Sequence, residues 1–181
     1  MKIIALGAST SSKSINQQFA TFAAQQIDPV AEVLHLQDYV LPLYSTDLQE
    51  NHGIPPSAMD FLARLDTADL VIISFAEHNG SYTAAFKNLL DWASRCREKT
   101  FLGTKMLLLA TSPGARGGAT VLNAAAVTFP YMGAKVISCF SLPSYYQNFI
   151  PDQGIIQPEL QLQFQSIINA VKTQFTQEPH Q

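Results

Sequence analysis

At 181 residues and a net charge of −3, the chain is long enough for one compact domain with its own core and too nearly neutral to argue for a charged partner. Nearly half of it is apolar, no tract is of low complexity, and its Lys and Arg residues are scattered; that excludes a disordered chain and speaks against a nucleic-acid binder, which would gather its positive charge on one face. No apolar run is long enough to cross a bilayer, so a small-molecule enzyme or binding protein is expected.

Met1 to Gly7 (MKIIALG) enters a strand pattern with no apolar signal region before it, which predicts no signal peptide and a cytoplasmic protein. Lys2 to Leu6 is that first strand, an apolar run ending at Gly7. A helix is predicted from Ile15, with Phe19, Phe22 and Ala23 on one face, stopped by Asp28-Pro29. Ala31 to Leu36 reads as a second strand. Residues 37–56 form a long connection, of the kind that often carries function, and Ser57 caps a helix through about Leu65. Asp69 to Phe75 (DLVIISF) is apolar on both faces, as a central parallel strand is. A helix follows from about Ser81, with Tyr82, Ala85, Phe86, Leu89 and Ala93 as its stripe. Lys105 to Thr111 is the fourth strand, Ala119 to Met132 a helix, and Ala134 to Phe140 the fifth strand. A last helix spans about Glu159 to Phe175, and the polar tail from Thr176 is expected to fray. Cys96 and Cys139 are far apart, in no metal-type spacing, and read as core or near-core thiols.

This alternation predicts a single α/β domain over residues 1–181, with a doubly wound, five-stranded parallel sheet of flavodoxin-like order 2-1-3-4-5 and helices on both faces. In such a sheet, ligands sit beyond the carboxyl ends of the strands near the switch in strand order. The loops after strands one, three and four meet there, and they are the chemically rich ones. Gly7 to Asn16 (GASTSSKSIN) offers five hydroxyls, one Lys and a helix start, whose unpaired N–H groups favour a phosphate. It lacks both the GxGxxG and the GxxxxGK[ST] pattern, and a plain N-cap by Ser14 explains it equally. Glu77 to Ser81 (EHNGS) has Asn79-Gly80, able to take positive φ, beside side chains suited to the polar edge of a ring; the plain alternative is a turn with Ser81 as N-cap. Ser112 to Gly118 (SPGARGG) opens a helix with two glycines, which cost stability unless something must come close. Arg116 is either a contact for a nicotinamide cofactor's phosphate or merely solvated. Phosphate chemistry in one loop and flat-ring chemistry in two others fit FMN better than ATP or NAD alone.

The segment EHNGSYTAAFKNLLDWASR resembles the E-Y-N-G-S-x-x-x-x-x-K-N-x-x-D-W-x-S-R stretch of the NADPH-dependent FMN reductase family, which includes quinone, chromate and azo-dye reductases of flavodoxin-like fold. GASTSSKSIN is similar to its phosphate loop, LPLYSTDL with GIPP to its second-strand loop, and SPGARGG to its S-x-G-x-x-G-G loop. The resemblance runs from Met1 to about Phe140. It implies that Ser9, Ser11, Ser14, Ile15 and Asn16 hold the FMN phosphate; that Glu77, His78, Asn79, Gly80 and Ser81 line the isoalloxazine and ribityl chain; and that Ser112, Pro113, Gly114, Gly117 and Gly118 cover the ring's other edge. The chain departs from the pattern at three points. Ser11 stands where the family has an arginine, removing a charge-assisted contact worth about 1.5–3 kcal/mol, with Lys13 as the compensating cation. Ala76 replaces a proline, and His78 replaces a tyrosine.

The resemblance implies a ping-pong reductase: a hydride passes from NADPH or NADH to bound FMN, and the electrons then pass to a flavin, quinone or similar small acceptor in the same slot. His78 is its one candidate catalytic side chain, placing the acceptor or supplying a proton. A flavodoxin-type electron carrier without reductase activity is the alternative, and a flavin-free binding domain a third reading. Members of the family commonly form homodimers or homotetramers. Tyr82, Trp92 and the Tyr145-Tyr146 loop are candidate partner contacts, unless Tyr82 and Trp92 pack in the subunit's own core.

Overall fold

Six consecutive residues of Ile3–Ala8 (β1) are buried, as are all six of Leu70–Phe75 (β3), and only the first residue of Lys105–Thr111 (β6) escapes. Strands buried on both faces need helices above and below. The computed structural model, which describes residues 1–176, supplies them from Ile15–Gln25 (α1), Pro56–Asp66 (α3), Ala84–Cys96 (α4), Ala119–Tyr131 (α5) and Pro158–Thr176 (α7). The expected polar tail lies outside the described residues beyond Thr176, which closes α7.

With Glu32–His35 (β2) and Lys135–Leu142 (β7) at the edges, the sheet runs β2-β1-β3-β6-β7, every pairing parallel. Counting only its five strands, this is the expected order 2-1-3-4-5. Alternation sorts the strands' side chains. Ile4, Leu6 and Ala8 of β1, Val71, Ile73 and Phe75 of β3, and Met106, Leu108 and Ala110 of β6 face α3, α4 and α5. Ile3, Ala5, Leu70, Ile72, Leu107 and Leu109 face α1 and α7, where Phe19, Phe140 and Phe164 pack their rings together. Each such buried Leu, Ile or Phe stabilises the fold by about 1.5–3 kcal/mol.

Several boundaries differ from expectation for local physical reasons. Residues 37–56 are not one open connection, because Thr46–His52 form a helix (α2) whose Leu48 N–H is capped by the Ser45 hydroxyl. Helix α3 starts at Pro56, a residue with no N–H to leave unpaired, rather than behind a Ser57 cap. Helix α4 starts at Ala84, capped by Thr83, not at Ser81. Beyond β7 come a short helix at Tyr145–Asn148 (α6) and a hairpin of Phe149–Ile150 (β8) with Gly154–Ile155 (β9).

Trp92 is fully buried, its indole N–H donates to the Pro42 carbonyl at 2.8 Å, and Tyr44 packs edge-on against it. Asn88, one turn earlier, accepts the Tyr44 N–H and donates to the Pro42 carbonyl. The K-N-x-x-D-W stretch thus clamps the connection after β2 onto α4, and Trp92 is a core residue rather than a partner contact. Tyr145 is likewise 3% exposed. Tyr82 is half-buried against Phe75 and Phe86.

Candidate functional site

The switch in strand order falls between β1 and β3, and α1 is pinned above it. Ser14 caps the helix by accepting the Gln17 N–H. Gln17 in turn accepts the Gly7 N–H through Oε1 at 3.0 Å. Asn16 is 2% exposed: its Oδ1 accepts from the Ser74 hydroxyl at 2.7 Å and the Thr111 N–H at 3.1 Å, and its Nδ2 donates to the Thr111 carbonyl. One side chain therefore ties the first turn of α1 to the ends of β3 and β6. Both polar atoms of that amide are engaged inside the protein, so it is the Asn16 backbone that is placed to meet a phosphate.

Within the loop, Ser9 Oγ accepts the Ser11 N–H and Ser11 Oγ accepts the Lys13 N–H. Each hydroxyl uses a lone pair on the loop and keeps its hydrogen to donate outward. Among the described residues none accepts from the N–H groups of Ile15 or Asn16, which open α1. Donors at the positive end of a helix form an anion cradle, and the exposed Lys13 stands beside it.

The Glu77-to-Ser81 stretch is a small hairpin. Glu77–His78 (β4) pairs antiparallel with Ser81–Tyr82 (β5), and the turn residues Asn79 and Gly80 have φ of 52° and 75°, both left-handed, as a two-residue hairpin of this hand requires. The Glu77 carboxylate faces inward. It accepts the Val121 N–H at 3.0 Å in the first turn of α5 and lies 3.7 Å from the Arg116 guanidinium. Thr83 fixes the far side of the hairpin, donating from its hydroxyl to the Ala8 carbonyl at 3.0 Å. Only His78 of this group is held out to solvent while lining the cleft.

The cleft, about 200 Å³, is lined by Ser9, Ser11, Lys13, Ser14, Ile15 and Asn16 from the first loop, Ala76, Glu77 and His78 from the hairpin, and Thr111, Ser112 and Pro113 from the end of β6, with Tyr146 of α6. The three loops do converge. Asn79, Gly80 and Ser81 lie beyond the lining, at the hairpin's tip, and Gly80 lies against Thr120. Gly114, Gly117 and Gly118 are also off it. Gly117 and Gly118 have left-handed φ of 57° and 75°, and a Cβ on Gly117 would stand 2.5 Å from Ser141 Oγ. A Cβ on Gly118 would stand 3.0 Å from that of Ala110. These glycines are required by close packing against β6 and β7, a sufficient reason that involves no ring passing over them. Tyr146, expected as a partner contact, lies on the cleft lining instead; the four-residue helix that carries it is too short to show a period.

Donors for an anion on one side of the cleft, with the His78 hairpin and the Ser112-Pro113 loop bordering the rest, can hold a phosphorylated ligand. Glu77, the one carboxylate on the lining, is turned toward the Val121 N–H and the Arg116 guanidinium, which offset part of its charge. The residues present fit FMN. Among the described residues no three His, Cys, Asp or Glu side chains are grouped to hold a metal ion, and no helix is long and apolar enough to cross a membrane.

The NADPH-dependent FMN reductase family model matches residues 1–147. An uncharacterized protein of Mycoplasma pneumoniae is 31% identical over 144 residues, covering 77% of this chain and 85% of its own. A quinone reductase of Escherichia coli is 34% identical over 79 residues, 44% of this chain and 42% of that enzyme, so the similarity spans about two fifths of its length. An NAD(P)H-dependent FMN reductase of Pseudomonas aeruginosa is 29% identical over 66% of this chain and 64% of its own. Among solved structures, the flavoenzyme NAD(P)H:(acceptor) oxidoreductase of Paracoccus denitrificans superposes with a TM-score of 0.72 at 21% identity, covering 95% of this chain and 97% of that one; at that identity the likeness is one of fold.

Proposed function

The chain belongs to the NADPH-dependent FMN reductase family, and from that membership we propose that it is an NAD(P)H-dependent reductase that binds FMN in the cleft above β1, β3 and β6 and reduces a flavin, quinone or similar small acceptor in ping-pong fashion. The observation that carries this reading is the meeting of the anion cradle, the His78 hairpin and the Ser112-Pro113 loop in one cleft at the switch point. Bound FMN supplies hydride acceptance from the nicotinamide and electron delivery to the acceptor. The chain's own residues bind and orient. The Ile15 and Asn16 N–H groups with the Ser9 and Ser11 hydroxyls hold the phosphate, Lys13 supplies the charge that Ser11 does not, and Ser112 and Pro113 border the slot.

The decisive experiment is a visible spectrum of the protein with stoichiometric FMN, followed by anaerobic addition of NADPH and NADH. Bleaching of the flavin band, and parallel double-reciprocal plots with a quinone, support the reading. A protein that takes up FMN but is not reduced by either nucleotide is an electron carrier instead, and one that takes up no FMN is neither.

If Lys13 is the phosphate's cation, Lys13→Ala raises the Kd for FMN about tenfold in dilute buffer, and the difference shrinks as salt screens the exposed charge. A Kd unchanged at low salt removes Lys13 from the site. The His78 side chain is exposed at the cleft, and among the described residues nothing hydrogen-bonds or ion-pairs with its imidazole. His78→Ala should leave the FMN Kd within about twofold and raise the acceptor KM about tenfold if the ring positions the acceptor; a flattened pH profile at unchanged KM assigns it the proton instead. Unchanged turnover and pH profile exclude both roles.

Val40 and Leu43, on the connection held by Asn88 and Trp92, are each 82% exposed. We place a contact between copies of the chain there, in a homodimer or homotetramer; a monomer by light scattering at micromolar concentration overturns it. A reductase fed by NAD(P)H is proposed to work in the cytoplasm, which cell fractionation checks.

A further inference from the structure

We propose that Tyr146 is the aromatic wall of the flavin site, packing the face of its ring against the bound flavin. This inference rests on the FMN reading above. Tyr146 lines the same cleft as the phosphate cradle and His78, yet it is 72% exposed. A large aromatic ring left in solvent inside a cleft is a surface awaiting a partner. It is also the one carbocyclic ring on that lining; apart from Ile15, Pro113 and the small Ala76, the remainder is polar, with the His78 imidazole its one other aromatic ring. Flat ligand rings stack on such surfaces without needing any particular hydrogen-bond pattern.

The backbone beneath Tyr146 is built to aim it. Ser144 sits at a left-handed φ of 48°, an arrangement costly for a residue with a Cβ and kept only where the surroundings enforce it. The surroundings do so here. The Ser144 N–H donates to the Gly114 carbonyl and the Tyr145 N–H to the Ser112 carbonyl, both at 3.0 Å, so α6 is strapped to the loop that borders the slot. Asn148 Nδ2 closes the turn on the Pro143 carbonyl at 2.8 Å. Tyr145 is the anchor: it stacks on Phe149 with ring centroids 5.0 Å apart, and its hydroxyl donates to Gln18 Oε1 of α1 at 2.8 Å. That burial pushes the Tyr145 phenol up to about 12, so it stays a neutral donor throughout the working range. Tyr146 leans edge-on against this fixed ring at 5.4 Å. The anchor, the strap and the plate are three successive residues, and the plate alone faces the cleft. Asn79, Gly80 and Ser81, expected along the isoalloxazine and ribityl chain, and Gly114, Gly117 and Gly118, expected at the ring's other edge, are not on this lining, whereas Tyr146 is.

The test follows flavin fluorescence as FMN is added to the flavin-free protein, for the wild type and for Tyr146→Ala, Tyr146→Leu and Tyr146→Phe. A stacked phenol quenches the flavin. Tyr146→Ala is expected to raise the Kd about tenfold and to leave the bound flavin brighter, Tyr146→Leu to restore part of the affinity but not the quenching, and Tyr146→Phe to stay within about twofold of wild type. Because the side chain is exposed, all four proteins should melt alike, which circular dichroism checks. Wild-type affinity and quenching in Tyr146→Ala overturn the proposal, as does a loss in Tyr146→Phe equal to that in Tyr146→Ala, which would mean a hydroxyl contact. A wild-type protein that takes up no FMN fails the functional reading itself, and the two failures are thus distinct.

Discussion

Asn16→Ala is expected to lower folding stability by about 3–5 kcal/mol, a loss of roughly 10–15 °C in Tm for a domain of this size. The Asn16 amide is enclosed and meets the Ser74 hydroxyl, the Thr111 N–H and the Thr111 carbonyl. Truncation leaves those groups unsatisfied in the interior, and such groups cost far more unpaired than their bonds contribute when made. The side chain also places the N-terminus of α1 over β3 and β6, so FMN affinity should fall by tenfold or more as a consequence. The order of effects separates two roles. If the Asn16 side chain were simply a phosphate ligand, as the family resemblance implies, the substitution would weaken FMN while the ligand-free protein melted as before. Urea unfolding of the ligand-free protein decides between them: a lower midpoint at unchanged slope supports the strap, and an unchanged midpoint removes it.

Asn16 also shows where a sequence stops being informative. Its partners are 58 and 95 residues away, and no local spacing carries a contact of that range. An Asn at the second position of a helix after a Ser-rich loop has the same signature whether its amide faces a ligand or the sheet. The glycines after β6 follow the same logic. Gly117-Gly118 was legible as a place where something comes close, but the sequence does not say that the close neighbours are Ser141, Leu142 and Ala110.

What could be read was whatever depends on local pattern. The apolar runs of β1, β3 and β6 have no polar alternation, so they belong at the centre of a sheet, and the helices between them force parallel pairing. That is enough for the order of the strands and for which loops meet. The hairpin at Glu77–Tyr82 was half legible: Asn79-Gly80 announces a tight turn, but strands of two residues are too short to show alternation. The sequence alone therefore points to a start for α4 at Ser81, two residues before its Thr83 cap. Tyr146 stands out in the sequence only as an aromatic suited to a partner contact, because its place on the cleft comes from the strap beneath it rather than from any repeating pattern.

Gly7→Ala should be the most damaging single methyl group in the chain. Gly7 needs no special backbone angle. It pairs with His35 on one side and Ser74 on the other as an ordinary residue of β1. What it provides is space. A Cβ there would fall on the backbone of α1, against the Cα and N of Gln17 and 2.9 Å from the carbonyl carbon of Asn16. Neither side can yield cheaply. Gly7 is locked in the sheet by its neighbours, and α1 is held by Asn16 and by a face of buried Phe19, Ala20, Ala23 and Ala24. Overpacking by backbone displacement costs about 3 kcal/mol or more, and the displacement breaks the bond between the Gly7 N–H and Gln17. Because the element forced outward carries the phosphate cradle, binding should suffer on a similar scale: an FMN Kd raised about a hundredfold, as expected when a site group moves by about 1 Å. Gln17→Ala separates the two causes, since it removes the side-chain bond without moving the helix and should cost far less. A Gly7→Ala protein with wild-type melting and wild-type FMN affinity would mean that α1 is not seated on β1 as described, and the cradle above the switch point would lose its physical basis.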